Sequence, residues 1–366
     1  IATTAYSPTL VHTIGAASNF FTLGSASGNA PGAVRCGRIN QFVFLGDTTD
    51  SVNGLVSSRV QWSGIDAPLS WPLPNSATAI AQQSGEQFMD AAFGAVMGFS
   101  NGDQFGLVFQ QSAITRVSYV GPPVVFQFDK ISDKIGCPYA RSIVQAGGFT
   151  YFIAASGFHR TDGVNVENIG LNKVNNFFST LSLGAKERVY GAHDRVANLI
   201  FWTVASTGST PTHVFIYNYV EGRFSYAEQP SQAIVNMTGL EALAETGIVG
   251  FNASNTLGTM ANTLTPFTPA ILETGDIEPS PGKFSHLSGA KIIVDQSGGG
   301  VVAYSKIRND INSSSFTTSA ASTLNASTGF CDFRREARYH RVRFSLTGGF
   351  SQAQAMEFLM KPSGER

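Results

Sequence analysis

Short apolar runs bounded by Gly, Asn and Asp set the rhythm of this chain. The clearest are Gln41–Leu45, Phe105–Gln110, Thr115–Val120, Val124–Phe128, Thr150–Ala154, Leu199–Val204 and His213–Tyr217. Several are apolar at nearly every position, the pattern of strands covered on both faces rather than strands with one wet face. The punctuation between them has turn chemistry. Asn101-Gly102-Asp103 precedes one run, Gly147-Gly148 divides Ile143–Ala146 from Thr150–Ala154, and Asp162-Gly163 divides the next pair. Each offers a residue that tolerates positive φ, as a tight hairpin requires.

The runs gather into groups near 34–80, 92–132, 137–180, 186–230 and 231–275. That spacing of roughly 40–50 residues is the blade period of a β-propeller, although a sandwich or jelly roll would also produce it. The segments around 148–163 and 193–204 share a rhythm and not a motif. The predicted fold is all-β: a β-propeller-like body of several four-stranded blades over 1–275, followed by a smaller C-terminal β domain or sheet extension over 276–366. A single helix is predicted over Leu171–Leu183, where Val174, Phe177, Phe178 and Leu181 fall at i, i+3, i+4 and i+7. From about Thr265 the texture changes. Pro266, Pro269, Pro279 and Pro281 read as a linker or domain edge, and Asn312–Thr328, rich in Ser, Thr and Asn, reads as a long loop or arm.

Composition adds a constraint on the surface. Charged residues are only 13% of the chain, about half the usual ~25%. Uncharged polar surface suits contact between subunits, because few charges lose their water when covered. The net charge of −1 supplies no global attraction to nucleic acid. No apolar window has the length of a membrane-spanning helix. Cys36, Cys137 and Cys331 are too widely spaced to suggest a zinc site and read as buried free thiols. A start at Ile1 reads as a trimmed or processed end, with no signal-peptide pattern behind it.

The standard catalytic constellations are missing from the sequence. There is no G-x-S-x-G elbow, Walker loop or H-E-x-x-H, and Gly298-Gly299-Gly300 leads into a strand rather than a helix. His159 with Asp162 and His193 with Asp194 read as turn or strand-end residues rather than acid–base pairs. Asp129 with Asp133, and Glu241 with Glu245, are close in sequence, as chance allows among 25 acidic residues. Trp62, Trp71 and Trp202 lie in or beside apolar strands and read as core, with sugar-stacking platforms the alternative. The chain is therefore expected not to be an enzyme, and to hold no metal or cofactor.

One basic cluster stands out near the C-terminus: Arg334, Arg335, Arg338, Arg341 and Arg343. On a strand, Arg341 and Arg343 share one face while Val342, Phe344 and Leu346 share the other. A solvated edge whose arginines discourage stray pairing is one reading. The others are a salt-bridging subunit interface or a channel lining that meets DNA phosphates.

Several phrases carry a resemblance. "RVQWSGIDAPLSW" (Arg59–Trp71), "FGLVFQQSAITRVSYVGPPVVFQFDKI" (Phe105–Ile131), "GFTYFIAASGFHRTDG" (Gly148–Gly163), "HVFIYNYVEGRFSYAE" (His213–Glu228) and "ARYHRVRFSLTGGFSQAQAMEF" (Ala337–Phe358) resemble the tail-tube, nozzle and DNA-stabilisation proteins of short-tailed double-stranded DNA phages. The resemblance implies a propeller body with added platform domains, located in the virion tail. It also implies a homo-oligomeric ring, usually a hexamer, below the portal and adaptor. Such a ring retains and conducts the genome with at most weak, non-specific DNA contact and no membrane insertion. The abrupt start at Ile1 departs from such proteins, which often carry further N-terminal sequence. A head-decoration or spike-base protein of the virion, or a glycan-binding propeller module, is the alternative.

Overall fold

The computed structural model describes residues 10–11, 21–22, 30–181, 188–205, 212–228, 231–236, 248–251, 256–259, 269–294, 300–347 and 353–364. They form two compact units, Ile1–Ala261 and Asn262–Arg366.

In the first unit, a short pair, β1 (Leu10–Val11) and β2 (Phe21–Thr22), precedes a series of antiparallel meanders. The first sheet runs β3 (Gly32–Ile39), β4 (Phe42–Asp50), β5 (Gly54–Trp62) and β6 (Gly85–Phe88), with α1 (Ala77–Gln82) before its last strand. The second comprises β7 (Val96–Ser100), β8 (Phe105–Gln110), β9 (Ile114–Gly121) and β10 (Val125–Ser132). The third comprises β11 (Val144–Ala146), β12 (Phe149–Ala154), β13 (Gly157–Thr161) and β14 (Val166–Asn168). After α2 (Asn175–Thr180) comes the fourth: β15 (Tyr190–Asp194), β16 (Leu199–Val204), β17 (His213–Asn218) and β18 (Arg223–Glu228). A fifth sheet has three described strands, β19 (Ala233–Asn236), β20 (Ile248–Phe251) and β21 (Leu257–Thr259). Consecutive four-stranded meanders define a β-propeller-like body, as the spacing of the apolar runs predicts.

Why the runs are apolar throughout is visible in how the sheets stack. Phe42 and Phe44 of β4 enter the core shared with the second sheet, while Val43 and Leu45 enter a separate cluster around Trp71 on the other face. Phe109 of β8 and Phe152 of β12 meet between the second and third sheets, ring centroids 5.1 Å apart. Tyr151 and Ile153 then face the fourth sheet, where Ile200, Trp202 and Val204 complete the largest cluster. Phe201, on the opposite face of β16, packs toward Ile234 and Ile248 of the fifth. The second, third and fourth sheets are thus each a filling between two others.

Aromatic side chains make the joints. Phe126 of the second sheet lies 4.9, 5.0 and 5.3 Å from Phe42, Phe44 and Trp62 of the first. Phe158 of the third lies 5.1 Å from Trp202 and Phe215 and 5.2 Å from Phe224 of the fourth. At the first joint the backbones come so close that a Cβ on Gly37 would sit 2.5 Å from the Phe99 Cβ.

The hairpins supply the rest. Gly147 and Gly148 both have positive φ, 58° and 82°, the requirement of a two-residue type I′ turn. A second device recurs at four hairpins. The side chains of Asp50, Asp162, Asp194 and Asn218 each accept the backbone N–H two and three residues on, closing an Asx turn. The residue two positions on is an exposed valine each time: Val52, Val164, Val196 and Val220.

Arg59 of β5 is fully buried. It donates to Thr48 Oγ1 at 2.6 Å and pairs with Asp50 at 2.6 Å and Glu86 at 3.3 Å across the first sheet. Burial without partners would be prohibitive for a guanidinium, so both carboxylates are part of the fold.

The predicted helix is shorter than its pattern. It spans Asn175–Thr180, with Val174 and Phe178 buried and Phe177 partly covered, its ring 5.0 Å from that of Tyr226; Leu183 lies outside the described residues.

The second unit is a sandwich. One sheet has the order β22 (Ala270–Glu273), β28 (Tyr339–Thr347), β24 (Gly300–Arg308) and β25 (Thr317–Thr318), with β26 (Ser322–Thr323) also on β24. The other has the order β27 (Cys331–Ala337), β23 (Phe284–Val294) and β29 (Ala353–Gly364). Leu287, Ile292 and Phe333 of one face Ala303, Val342 and Phe344 of the other. The division between units falls before residue 275, and β22, within the stretch read as a linker, pairs with β28 of this sheet. The Ser/Thr/Asn-rich stretch lays two short strands on β24.

Two substitutions separate joint from tip. Phe158→Ala is expected to cost about 3–5 kcal/mol, and Val164→Ser to stay within about 0.5 kcal/mol. Urea unfolding of both variants measures the contrast, and equal effects would contradict this account of the joints.

Candidate functional site

The first strands of successive sheets lie against one another, β3 against β7, β11 against β15 and β15 against β19. Polar groups link them. The Arg38 N–H donates to Asn101 Oδ1 at 2.8 Å, and the Asn101 N–H to Gln145 Oε1 at 3.1 Å. Gln145 Nε2 returns a bond to the Asn101 carbonyl at 2.6 Å, and Asn236 Nδ2 donates to the His193 carbonyl.

Beside this belt, the turns at Asn101–Phe105, Gly147–Phe149 and Asp162–Gly163 converge with His193 and Arg195 around a cavity of about 390 Å³. Asp103, Asp162 and His193 among its ionisable groups are already engaged. Asp103 pairs with Arg38. The backbone N–H groups of Asn165 and Val164 hold the Asp162 carboxyl below the usual range, so it stays ionised at neutral pH. Burial, reinforced by Arg195, lowers the His193 pKa, and its Nε2 lies 3.2 Å from the Tyr219 hydroxyl. The cavity offers a polar, partly charged surface of a size that holds a small polar ligand.

The other candidates resolve individually. The three cysteines are free thiols, Cys137 and Cys331 buried as expected, but Cys36 is exposed on β3 and corrects that reading. His159 is buried, stacked on Phe152, with Nδ1 3.0 Å from the Gly157 carbonyl. Trp62, Trp71 and Trp202 are buried and donate to the carbonyls of Gln83, Pro68 and Ser142, so none presents a free face to a sugar. Asp129 is held by the Gln127 amide at 2.9 Å. Glu241 and Glu245 lie outside the described residues. Among the described residues, no group of three or more His, Cys, Asp or Glu is arranged to hold a metal, and no helix is long and apolar enough to cross a membrane.

The C-terminal arginines separate on folding. On β28, Val342, Phe344 and Leu346 face the core and Arg341 and Arg343 the outer face, as the alternation predicts. Arg341 is spent within its own sheet. Its Nε and Nη2 donate to the two Asp276 oxygens at 2.8 and 3.1 Å, and its guanidinium lies 4.4 Å from the Phe316 ring centroid. Arg308 pairs with the same carboxylate and lies over the same ring at 4.8 Å. Lys306 meets Glu273 at 2.7 Å, beside Arg341. Arg343 stands between Glu273 and Tyr304 on the neighbouring strands, half-buried.

The remaining three lie elsewhere on the unit. Arg335 reaches the Thr317 carbonyl at 3.2 Å, and Arg338 covers the Phe284 ring. Arg334, on β27 of the opposite sheet, is exposed. Glu273, Asp276 and Phe316 are the partners that the sequence pattern does not single out. Their only signals are two acids in a Pro-bearing stretch and one aromatic in a polar loop.

No protein-family model matches the chain, and no curated protein matches it in sequence. Solved structures align with it in fold. An exo-β-1,3-galactanase from Phanerochaete chrysosporium is 11% identical, covering 90% of this chain and 94% of that one, with a TM-score of 0.29. A glycoside hydrolase family 43 arabinoxylan arabinofuranohydrolase from Bacillus subtilis is 12% identical, covering 92% and 95%, with a TM-score of 0.24. PorZ, a surface component of the type-IX secretion system of Porphyromonas gingivalis, is 9% identical, covering 82% and 44%, with a TM-score of 0.24.

These neighbours correct one expectation. Two of them are carbohydrate-cleaving enzymes, so the all-β plan does not exclude catalysis, and the sequence-based exclusion of an enzyme is withdrawn. At such TM-scores the likeness assigns no activity or substrate.

The Asp276 network has a pH signature. Its two arginines, Arg341 foremost, hold the Asp276 carboxyl below its ordinary 3.8. A depressed folded-state pKa gives stability that is present above the unfolded value of about 3.9 and lost as pH falls through the folded one. Asp276→Asn is expected to cost roughly 1–3 kcal/mol at pH 7. The gap from the parent should narrow below about pH 4, which urea midpoints at pH 7 and pH 3 would reveal.

Proposed function

We propose that this chain is a structural protein of the tail of a short-tailed double-stranded DNA phage. In this reading it forms a ring, sixfold in symmetry, below the portal and adaptor, and the ring retains and then conducts the genome. The observation that carries the reading is the two-part architecture. A propeller-like body of consecutive meanders is followed by a compact C-terminal β sandwich, which is the plan implied by the sequence phrases that resemble nozzle and tail-tube proteins.

The disposition of charge supports it further. A conduit that gripped phosphates tightly would slow the passage of DNA, because each phosphate contact adds to a salt-sensitive affinity. Here the net charge is −1, and the strongest basic cluster is divided between two sheets and partly neutralised by Asp276 and Glu273. The polar cavity of the first unit favours a second reading, a glycan-binding module, but its walls come from hairpin turns and Phe105 and Phe149 rather than from any of the three tryptophans.

Gold-labelled antibody imaging of virions from the source preparation tests the proposal. Label confined to one vertex, at the tail, is the expected result. Label spread over the shell would move the assignment to a decoration protein, and unlabelled particles would sink the virion reading. Purified protein is expected to bind duplex DNA weakly in a mobility-shift titration, and tight binding that collapses with added salt would count against a passive conduit.

A further inference from the structure

The last strand of the sandwich has an open side. β29 runs for 12 residues, Ala353–Gly364, and pairs along one edge with β23. Among the described residues nothing pairs with its other edge. The opposite margin of the same sheet is covered: Leu324 bridges to Cys331 of β27, and Ser322 Oγ donates to the Asp332 carbonyl. A long, mostly uncharged edge with free N–H and C=O groups is a template for another strand.

Which groups face that edge follows from one contact. The Leu359 carbonyl is turned toward β23, where it accepts a hydrogen bond from Ser288 Oγ at 3.1 Å. Alternation along an antiparallel strand then turns the backbone groups of Met356, Phe358 and Met360 the other way, toward the open edge. Pro362 falls in this outward set and has no N–H to leave unpaired there, as suits an edge position.

The side chains select a partner. Met356, Phe358 and Met360 point toward the sandwich core, while Glu357, Leu359 and Lys361 are exposed on the outer face. Neither Glu357 nor Lys361 forms an ion pair among the described residues. If a second β29 is laid antiparallel along the edge and centred on Leu359, Glu357 of each copy falls opposite Lys361 of the other. Leu359 meets Leu359, and Phe358 falls opposite Met360. The Leu359 and Glu357–Lys361 pairs are then non-hydrogen-bonded pairs, whose side chains lie closest, while Phe358 and Met360 exchange backbone hydrogen bonds. Between Glu357 and Lys361 this edge is complementary to itself in charge, size and hydrogen bonding, and the pairing ends at Met356 and Pro362, where the proline has no N–H to donate.

We propose that β29 is a self-recognition strand, through which two copies of this chain join their three-stranded sheets into one continuous two-fold sheet. The pairing is isologous and does not rest on the tail reading. A one-directional ring lacks this two-fold axis, so the pairing belongs to the free chain before assembly.

Sedimentation velocity of the full chain and its charge variants tests it. The parent is expected to dimerise. Glu357→Lys and Lys361→Glu should each weaken the dimer by about tenfold or more, since each places like charges opposite one another twice. The double variant should restore it, with circular dichroism unchanged throughout. A Leu359→Cys variant, made with Cys36→Ser, should form a covalent dimer on oxidation, because Cα atoms of such a pair lie about 4.5 Å apart. A monomeric parent, an oligomer indifferent to both single swaps, or an oligomer that Leu359→Cys fails to link would each overturn the proposal.

Discussion

The body of this protein depends on burial of both faces of its inner sheets. A strand such as Thr150–Ala154 has no polar face to give to water, so its sheet is stable only between two neighbours. Stacking one meander on the next satisfies that need in sequence order, and the first strands accordingly come together with their Asn101 and Gln145 amides bonded across them. Phenylalanine suits the joints between stacked sheets. A flat ring spans the gap and meets its neighbours edge-on, as Phe126 does against Phe42 and Phe44 at interplanar angles of 73° and 75°. Gly37 marks the limit of that approach on the inner strand, where even a methyl group would collide with Phe99.

The same constraint makes much of the body legible in the amino-acid sequence. Continuous apolar runs announce doubly covered strands, and Gly147-Gly148 announces its hairpin because few residue pairs accept positive φ twice in succession. The grouping near 34–80, 92–132, 137–180, 186–230 and 231–275 follows the observed sheets because each meander is one local unit. The repeated Asx turn is harder to see. Asp50, Asp162, Asp194 and Asn218 close the same turn with a valine two positions later, yet the intervening residues are Ser, Gly, Arg and Tyr. The turn needs only a side-chain oxygen and two N–H groups, so the other letters drift. The helical pattern overreaches for a related reason: Val174, Phe177, Phe178 and Leu181 keep helical spacing, but only Val174 and Phe178 find a buried place in the core of the third and fourth sheets.

Charge pairing is less legible than apolar packing because it joins residues far apart in sequence. The alternation of Arg341 and Arg343 with Val342 and Phe344 is local and can be read directly. Their partners are not local. Asp276 lies 65 positions before Arg341, in a stretch whose prolines suggest a linker, and Phe316 lies in a loop of small polar residues. Reading a basic cluster as an available surface assumes that its counter-charges are nearby in sequence. Here β22 and the loop after it deliver them from elsewhere. The same holds for Arg59, whose partners Asp50 and Glu86 come from the strands on either side.

The two units treat their charge differently, and the difference bears on what each surface can do. In the first sheet of the body, Arg59 is enclosed with two carboxylates and a threonine hydroxyl, so its role is to hold β4, β5 and β6 in register. On the outer face of β28, Arg341 and Arg308 share Asp276 while lying over one phenyl ring, which keeps two guanidinium groups flat against the sheet and limits their reach toward a phosphate. Among the described residues, Arg334 has no such tether, and Glu357 and Lys361 are likewise unengaged. The cations that lie together in the sequence therefore have different availability, decided by which acids the fold brings beside them. Recognition by this unit is better sought in its open strand edge than in its density of arginine, because an unpaired backbone edge has only water to exchange for a partner whereas a satisfied ion pair must first lose one.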